Sequence, residues 1–126
     1  MTHVTILLVE DDADMRYVLG ERLRALFPED RILIAQSAEA GLAFTHETPV
    51  DAIVLDLHLS DMDGFTFASA VEGDPRPRII ALTGDVRPNV RERAKQAGFA
   101  EFLEKPQGLD ELGEALRRVL AGRRAA

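Results

Sequence analysis

Short apolar runs alternate with segments of helical spacing along the whole chain, the pattern of an α/β domain on a mostly parallel sheet. The runs predict strands at about Val4 to Glu10, Ile32 to Gln36, Ala52 to Asp56, Ile79 to Leu82 and Glu101 to Glu104. A helix follows each. The first, about Ala13 to Phe27, spaces Met15, Val18, Leu19, Leu23, Leu26 and Phe27 by threes and fours onto one face, and Pro28 closes it. The second, about Ala38 to His46, has Ser37 in the N-cap place. The third, about Phe65 to Val71, is short, lying between the turn-rich segment Leu57 to Gly64 and the breaker Gly73-Asp74-Pro75. Asp85 is placed to cap the fourth, whose first turn tolerates Pro88, and Gly98 stands where a left-handed residue ends a helix. The last, about Leu109 to Leu120, aligns Leu109, Leu112, Leu116, Val119 and Leu120; Asp110 and Glu111 start it and Arg117 and Arg118 end it, matching the macrodipole. Gly122 to Ala126 reads as a frayed tail.

The first, third and fourth runs are continuously apolar, as in strands covered on both faces, whereas the fifth alternates around Glu101 and Glu104 and belongs at an edge. Short right-handed crossovers then favour a doubly wound, five-stranded parallel sheet in the order 2-1-3-4-5, flanked by five helices.

With 126 residues the chain is expected to form one domain, with a core at about 4–121 and a short tail. The net charge of −7 argues against direct binding to nucleic acid or an anionic membrane. Cysteine is absent, which excludes disulfides and thiolate chemistry. No signal peptide and no run of about 20 apolar residues is visible, so a cytoplasmic location is expected.

The chemistry lies where the runs end. Thr5 to Val9 leads into Glu10-Asp11, Ala52 to Leu55 into Asp56, Ile79 to Leu82 into Thr83-Gly84, and Phe102-Leu103-Glu104 into Lys105-Pro106. On one sheet edge these gather three carboxylates, a hydroxyl and an ammonium. Carboxylates that close must raise their pKa values or share a cation. Mg²⁺ suits them, since it takes oxygen ligands such as Asp11 and Asp56 and works beside phosphate groups. Asp56 could then attack phosphorus, with Lys105 and Thr83 as positive charge and donor around the transferring group and Gly84 leaving it room. Taken singly, each residue has a plainer reading: Asp56 as a turn residue, Glu10-Asp11-Asp12 as helix-start acids, Thr83 as structural and Lys105 as a solvated surface lysine. Their convergence at four strand ends favours the chemical reading.

Over nearly its whole length the chain resembles the response-regulator receiver domain of two-component signalling, a CheY-like family with a flavodoxin-like fold. The resemblance is carried by Ile6-Leu7-Leu8-Val9-Glu10-Asp11-Asp12, Asp51-Ala52-Ile53-Val54-Leu55-Asp56-Leu57-His58-Leu59, Asp61-Met62-Asp63-Gly64, Ala81-Leu82-Thr83-Gly84 and Glu104-Lys105-Pro106. It implies that Asp56 accepts a phosphoryl group from a histidine kinase or histidine phosphotransfer protein. It further implies that Mg²⁺ is held by Asp11, Asp56 and the main-chain carbonyl of His58, with Glu10 acting through water. Thr83 and Lys105 would contact the phosphoryl group, Thr83 and Phe102 would form the switch, and Lys105-Pro106 would be cis. Such a domain is a switch with its own phosphorylation and dephosphorylation activity rather than an enzyme on a separate substrate, and its output is expected in trans on a protein effector. Ser60, where the family often has proline, is expected to loosen the loop after Asp56.

A haloacid-dehalogenase-like phosphatase also uses an aspartyl phosphate, but it wants a second Asp where this chain has His58. A pseudo-receiver would have lost one of Asp11, Asp56, Thr83 or Lys105, and all four are present. Other positions stay open. Arg87, Arg91 and Lys95 recur every four residues, as a solvated face or as a docking stripe. Tyr17 is either a half-buried ring or a contact for the phosphodonor. The His58 side chain either borders the path of hydrolytic water or points into solvent. His3 and His46 have no metal-ligand spacing.

Overall fold

A computed structural model of the chain describes residues 3–85 and 87–124. Its elements are β1 (Thr5–Val9), α1 (Ala13–Leu26), β2 (Arg31–Ala35), α2 (Ala38–Glu47), β3 (Ala52–Leu55), α3 (Gly64–Ala70), β4 (Arg78–Thr83), α4 (Pro88–Gln96), β5 (Glu101–Glu104) and α5 (Gly108–Arg124). The strands are parallel and ordered β2-β1-β3-β4-β5, as the apolar pattern predicts, with β5 at an edge.

Alternate residues of the strands feed two separate cores. Ile6, Leu8, Val54, Ile80 and Leu82 face α1 and α5, where Leu19, Leu23, Leu112 and Leu116 are fully buried. Leu7, Val9, Ile53, Leu55 and Ala81 face the other layer, against Phe67 of α3 and Val90 of α4. A strand buried on both faces gains nothing from alternation, which is why these runs are apolar throughout. Truncating a residue such as Leu116 would cost about 2–5 kcal/mol.

Local signals fix most helix ends. The Ser37 hydroxyl accepts the Ala40 N–H at 3.1 Å, and Gly98 has φ of +84°, the conformation expected of it. Three expectations fail. Asp85 does not cap α4: the N-cap is Arg87, without a side-chain cap bond, and the Asp85 carboxylate accepts the Arg87 N–H two residues along. Val18 is 46% exposed rather than on the apolar face, because α1 meets the sheet through Leu19 and Leu23, and Tyr17 beside it is not half-buried but 71% exposed.

The third failure concerns the tail. α5 continues to Arg124 instead of fraying from Gly122, while Ala125 and Ala126 lie outside the described residues. Its last turn is held by charge. Asp30 accepts the Val4 N–H at 3.1 Å and pairs with Arg124, and Asp51 accepts the Thr5 N–H at 2.8 Å and pairs with Arg123 at 3.4 Å. Two carboxylates thus tie the start of β1 to the end of α5. Lys105-Pro106 is cis, as the resemblance implies, and so is Asp74-Pro75.

Candidate functional site

The carboxyl ends of β1, β3, β4 and β5 converge. β1 stops at Val9, and Glu10, Asp11 and Asp12 turn the chain into α1, where the Asp12 carboxylate caps the helix through the Met15 N–H at 2.8 Å. Arg16, one turn into α1, donates to the carbonyls of Glu10 and Asp11, both at 3.1 Å. Sequence reasoning missed this arginine. Its position one turn after the acidic run is the only signal the chain offered.

Glu10, Asp11 and Asp56 place carboxylate oxygens within 4.8 Å of one another, and no other acidic or histidine cluster of this kind occurs among the described residues. Lys105 enters from the end of β5, its Nζ 2.9 Å from Glu10 Oε1 and 3.5 Å from Asp56 Oδ2. The main chain fixes its approach, since the Lys105 N–H donates to the Thr83 carbonyl at 2.9 Å. Burial alone would lower the Lys105 pKa, but the Glu10 bond and the charge of Asp56 outweigh it and the net shift is upward. The ammonium is therefore secured by the anions around it. Glu10 is 1% exposed; burial pushes its carboxyl up, against the opposing pull of Lys105 and of the Asp12 N–H on Oε2.

Asp56 Oδ1 accepts the His58 N–H at 3.1 Å, which orients the carboxylate and leaves Oδ2 toward Lys105. Ser60 corrects an expectation: its N–H donates to Asp11 Oδ2 at 2.7 Å, a bond proline could not make, so it fastens the loop to the turn after β1 instead of loosening it. Thr83 is completely buried, and its Oγ1 accepts the Asp85 N–H at 3.2 Å. A Cβ built on Gly84 would meet nothing within 4 Å, so the space beside Thr83 is open.

The His58 side chain is largely exposed to solvent, yet its ring is engaged. Its Nε2 lies 2.7 Å from Asp85 Oδ2, joining the loop after β3 to the loop after β4, while Arg87 engages the same carboxylate through Nε at 2.9 Å. Asp85 is accordingly held well below the usual carboxylate range, first by Arg87 and then by His58. Phe102 is half-buried on β5 with the Arg91 guanidinium 4.7 Å above its ring; Arg91 also reaches Glu104 at 2.9 Å. The stripe Arg87, Arg91 and Lys95 is exposed along its length, as a solvated face requires, although its first two members also engage Asp85 and Phe102 with Glu104.

The donor set consists of oxygens, and three carboxylates against one ammonium leave negative charge uncompensated. Mg²⁺ fits such a set. Residues 6–117 match the response regulator receiver domain. The chain belongs to this family. Receiver domains bind Mg²⁺ at an acidic pocket, and the cluster of Glu10, Asp11 and Asp56 has that chemical character.

Among curated relatives of this receiver domain, a sensor histidine kinase, AruS, of Pseudomonas aeruginosa is 34% identical over 90% of the chain. A protein-glutamate methylesterase/protein-glutamine glutaminase of Anaeromyxobacter dehalogenans is 30% identical over 91%. The chain spans 12% and 36% of the lengths of these two proteins. Among solved structures, chemotaxis protein CheY4 of Vibrio cholerae matches with a TM-score of 0.83 at 25% identity, covering 94% of this chain and 100% of that one. FixJ-N matches at 0.80 with 30% identity, covering 94% of each. No helix among the described residues is long and apolar enough to cross a membrane.

Proposed function

We propose that this receiver domain accepts a phosphoryl group on Asp56 from the phosphohistidine of a histidine kinase or phosphotransfer protein, and that the acyl phosphate switches a surface read by a protein effector. The observation that carries the reading is Lys105 Nζ held between Glu10 and Asp56 beside the Asp11 carboxylate. Asp56 Oδ2 attacks phosphorus, forming the O–P bond as the donor N–P bond breaks, and the imidazole leaves with its electron pair and takes up a proton. Lys105 supplies positive charge to the transferring oxygens, and the Thr83 hydroxyl, freed from Asp85, supplies a donor. The His58 N–H holds Oδ1 so that the carboxylate does not rotate away. Asp11, Asp56 and the His58 carbonyl would hold Mg²⁺, with Glu10 acting through water because its oxygens already face Lys105 and the Asp12 N–H. When bound, the ion would supply charge to neutralise the phosphoryl oxygens. Autodephosphorylation reverses the bond change: water attacks phosphorus, the O–P bond to Asp56 breaks, and inorganic phosphate leaves.

Incubation with acetyl phosphate and Mg²⁺ should add one phosphoryl mass to the intact chain. The same adduct in Asp56→Ala would remove Asp56 from the role.

A further inference from the structure

Phe65, at the start of α3, stacks on Phe99, the residue after Gly98 on the approach to β5; the ring centroids are 5.6 Å apart and the planes 19° from parallel. Arg93 of α4 sets its guanidinium 4.0 Å over the Phe65 ring. The start of α3 thus meets α4 and the turn that follows it in this one stack. α4 needs such contacts, since it buries only Val90 and Ala94 and its N-terminus lacks a side-chain cap bond. Two arginines hold it laterally, Arg91 on Phe102 and Arg93 on Phe65.

The stack begins where the loop from Asp56 ends. The Gly64 N–H donates to the Leu57 carbonyl at 3.0 Å, and a Cβ at Gly64 would lie 2.7 Å from Leu57 Cα, so only glycine allows this closure. His58 and Asp63 form a β-bridge across the loop, and Asp63 Oδ1 accepts the Phe65 N–H at 2.7 Å. Leu57 to Gly64 is therefore a closed clip. A displacement at Leu57 or His58 passes into the first turn of α3, which carries Phe65, because packed groups move together.

We propose that the Phe65–Phe99–Arg93 stack is a second coupling path, carrying the state of Asp56 to the C-terminal half of α4 separately from Thr83 and Phe102. It rests on the phosphoacceptor reading of Asp56. α4 is then biased from two sides: the Arg91 contact reports on Phe102, and the Arg93 contact reports on the Asp56 loop.

The test is amide NMR of the full chain with and without acetyl phosphate and Mg²⁺, with intact mass giving the fraction phosphorylated. Wild type is compared with Phe99→Leu, which keeps an apolar group, and with Arg93→Met, an exposed change that keeps the stem and removes the cation. In both variants the phosphorylation-dependent shifts of Arg93 to Gln96 should be largely lost while those of Phe102 persist. Unchanged shifts at Arg93 to Gln96 in both variants would overturn the path, and so would joint loss at Phe102, which would mean a single route. Absence of the mass adduct in wild type would instead overturn the reading of Asp56 on which it rests.

Discussion

The His58 imidazole and the Asp85 carboxylate, 2.7 Å apart, join the loop after β3, which begins at Asp56, to the loop after β4, the strand that ends at Thr83. Asp85 is nearly buried, at 7% side-chain exposure, whereas His58 is 62% exposed. The imidazole is the movable half of the contact. Because the Thr83 Oγ1 accepts the Asp85 N–H, a hold on Asp85 is also a hold on Thr83.

His58→Ala should therefore open this contact and hasten loss of the acyl phosphate. An increase of roughly threefold or more, equivalent to about 0.7 kcal/mol of barrier, is expected. Dephosphorylation rates of wild type and variant, measured from about pH 6 to about pH 8, provide the check. Equal rates throughout would reduce His58 to its main-chain groups.

Asp11→Ala should weaken Mg²⁺ binding by about tenfold or more and slow phosphorylation, as loss of a direct oxygen ligand does. The fold should survive. Removing one of three crowded carboxylates relieves repulsion, and the exposed Ser60 amide can turn to water, so stability should stay level or rise by up to about 1 kcal/mol. Mg²⁺ titration followed by thermal melting separates the two effects, and undiminished Mg²⁺ affinity would exclude Asp11 as a ligand.

What the chain discloses of itself follows from the range of each interaction. Ile6 to Val9, Ala52 to Leu55 and Ile79 to Leu82 are legible because double burial demands apolar residues in sequence, and Glu10, Asp56 and Thr83 are legible because each immediately follows such a run. Ser37 and Gly98 are legible because capping is local. The Arg123 and Arg124 pairs are not, since Asp51 and Asp30 lie 72 and 94 residues away and nothing beside the arginines announces them. Asp85 misleads for a related reason: its chemistry fits a cap, but Arg87 and His58 already occupy its oxygens. Ser60 misleads because the ring it lacks is visible in the sequence, whereas the partner of its own N–H lies 49 residues away at Asp11.

Thr83→Ala should still form the mass adduct, more slowly, and should cost about 1 kcal/mol of stability because the partly buried Asp85 N–H loses its acceptor. The phosphorylation-dependent amide shifts of Phe102 and the rest of β5 should disappear, since no hydroxyl remains to move toward the phosphoryl group and vacate space for the ring. Shifts at Arg93 to Gln96 should survive through Phe65 and Phe99. If Phe102 responded in the variant as in wild type, Thr83 would not be the link between Asp56 and that ring.

The end of α5 offers a prediction independent of phosphorylation. Arg124 and the Val4 N–H bond Asp30, whose side chain is 5% exposed, and the Arg124 bond is the foremost cause of its lowered pKa. A carboxyl depressed in the folded state contributes stability that is fully present above its unfolded pKa of about 3.9 and is lost as pH falls through the folded value. Arg124→Ala should thus destabilise the domain at neutral pH by about 1–2 kcal/mol, because a charge-assisted bond is removed and a nearly buried carboxylate loses its main partner. The gap between variant and wild type should narrow below about pH 4 as Asp30 protonates in both. Urea unfolding of the two chains at about pH 7 and at about pH 3 measures both quantities. A gap that is the same at both values would show that Arg124 acts through packing of its stem rather than through the charge of Asp30.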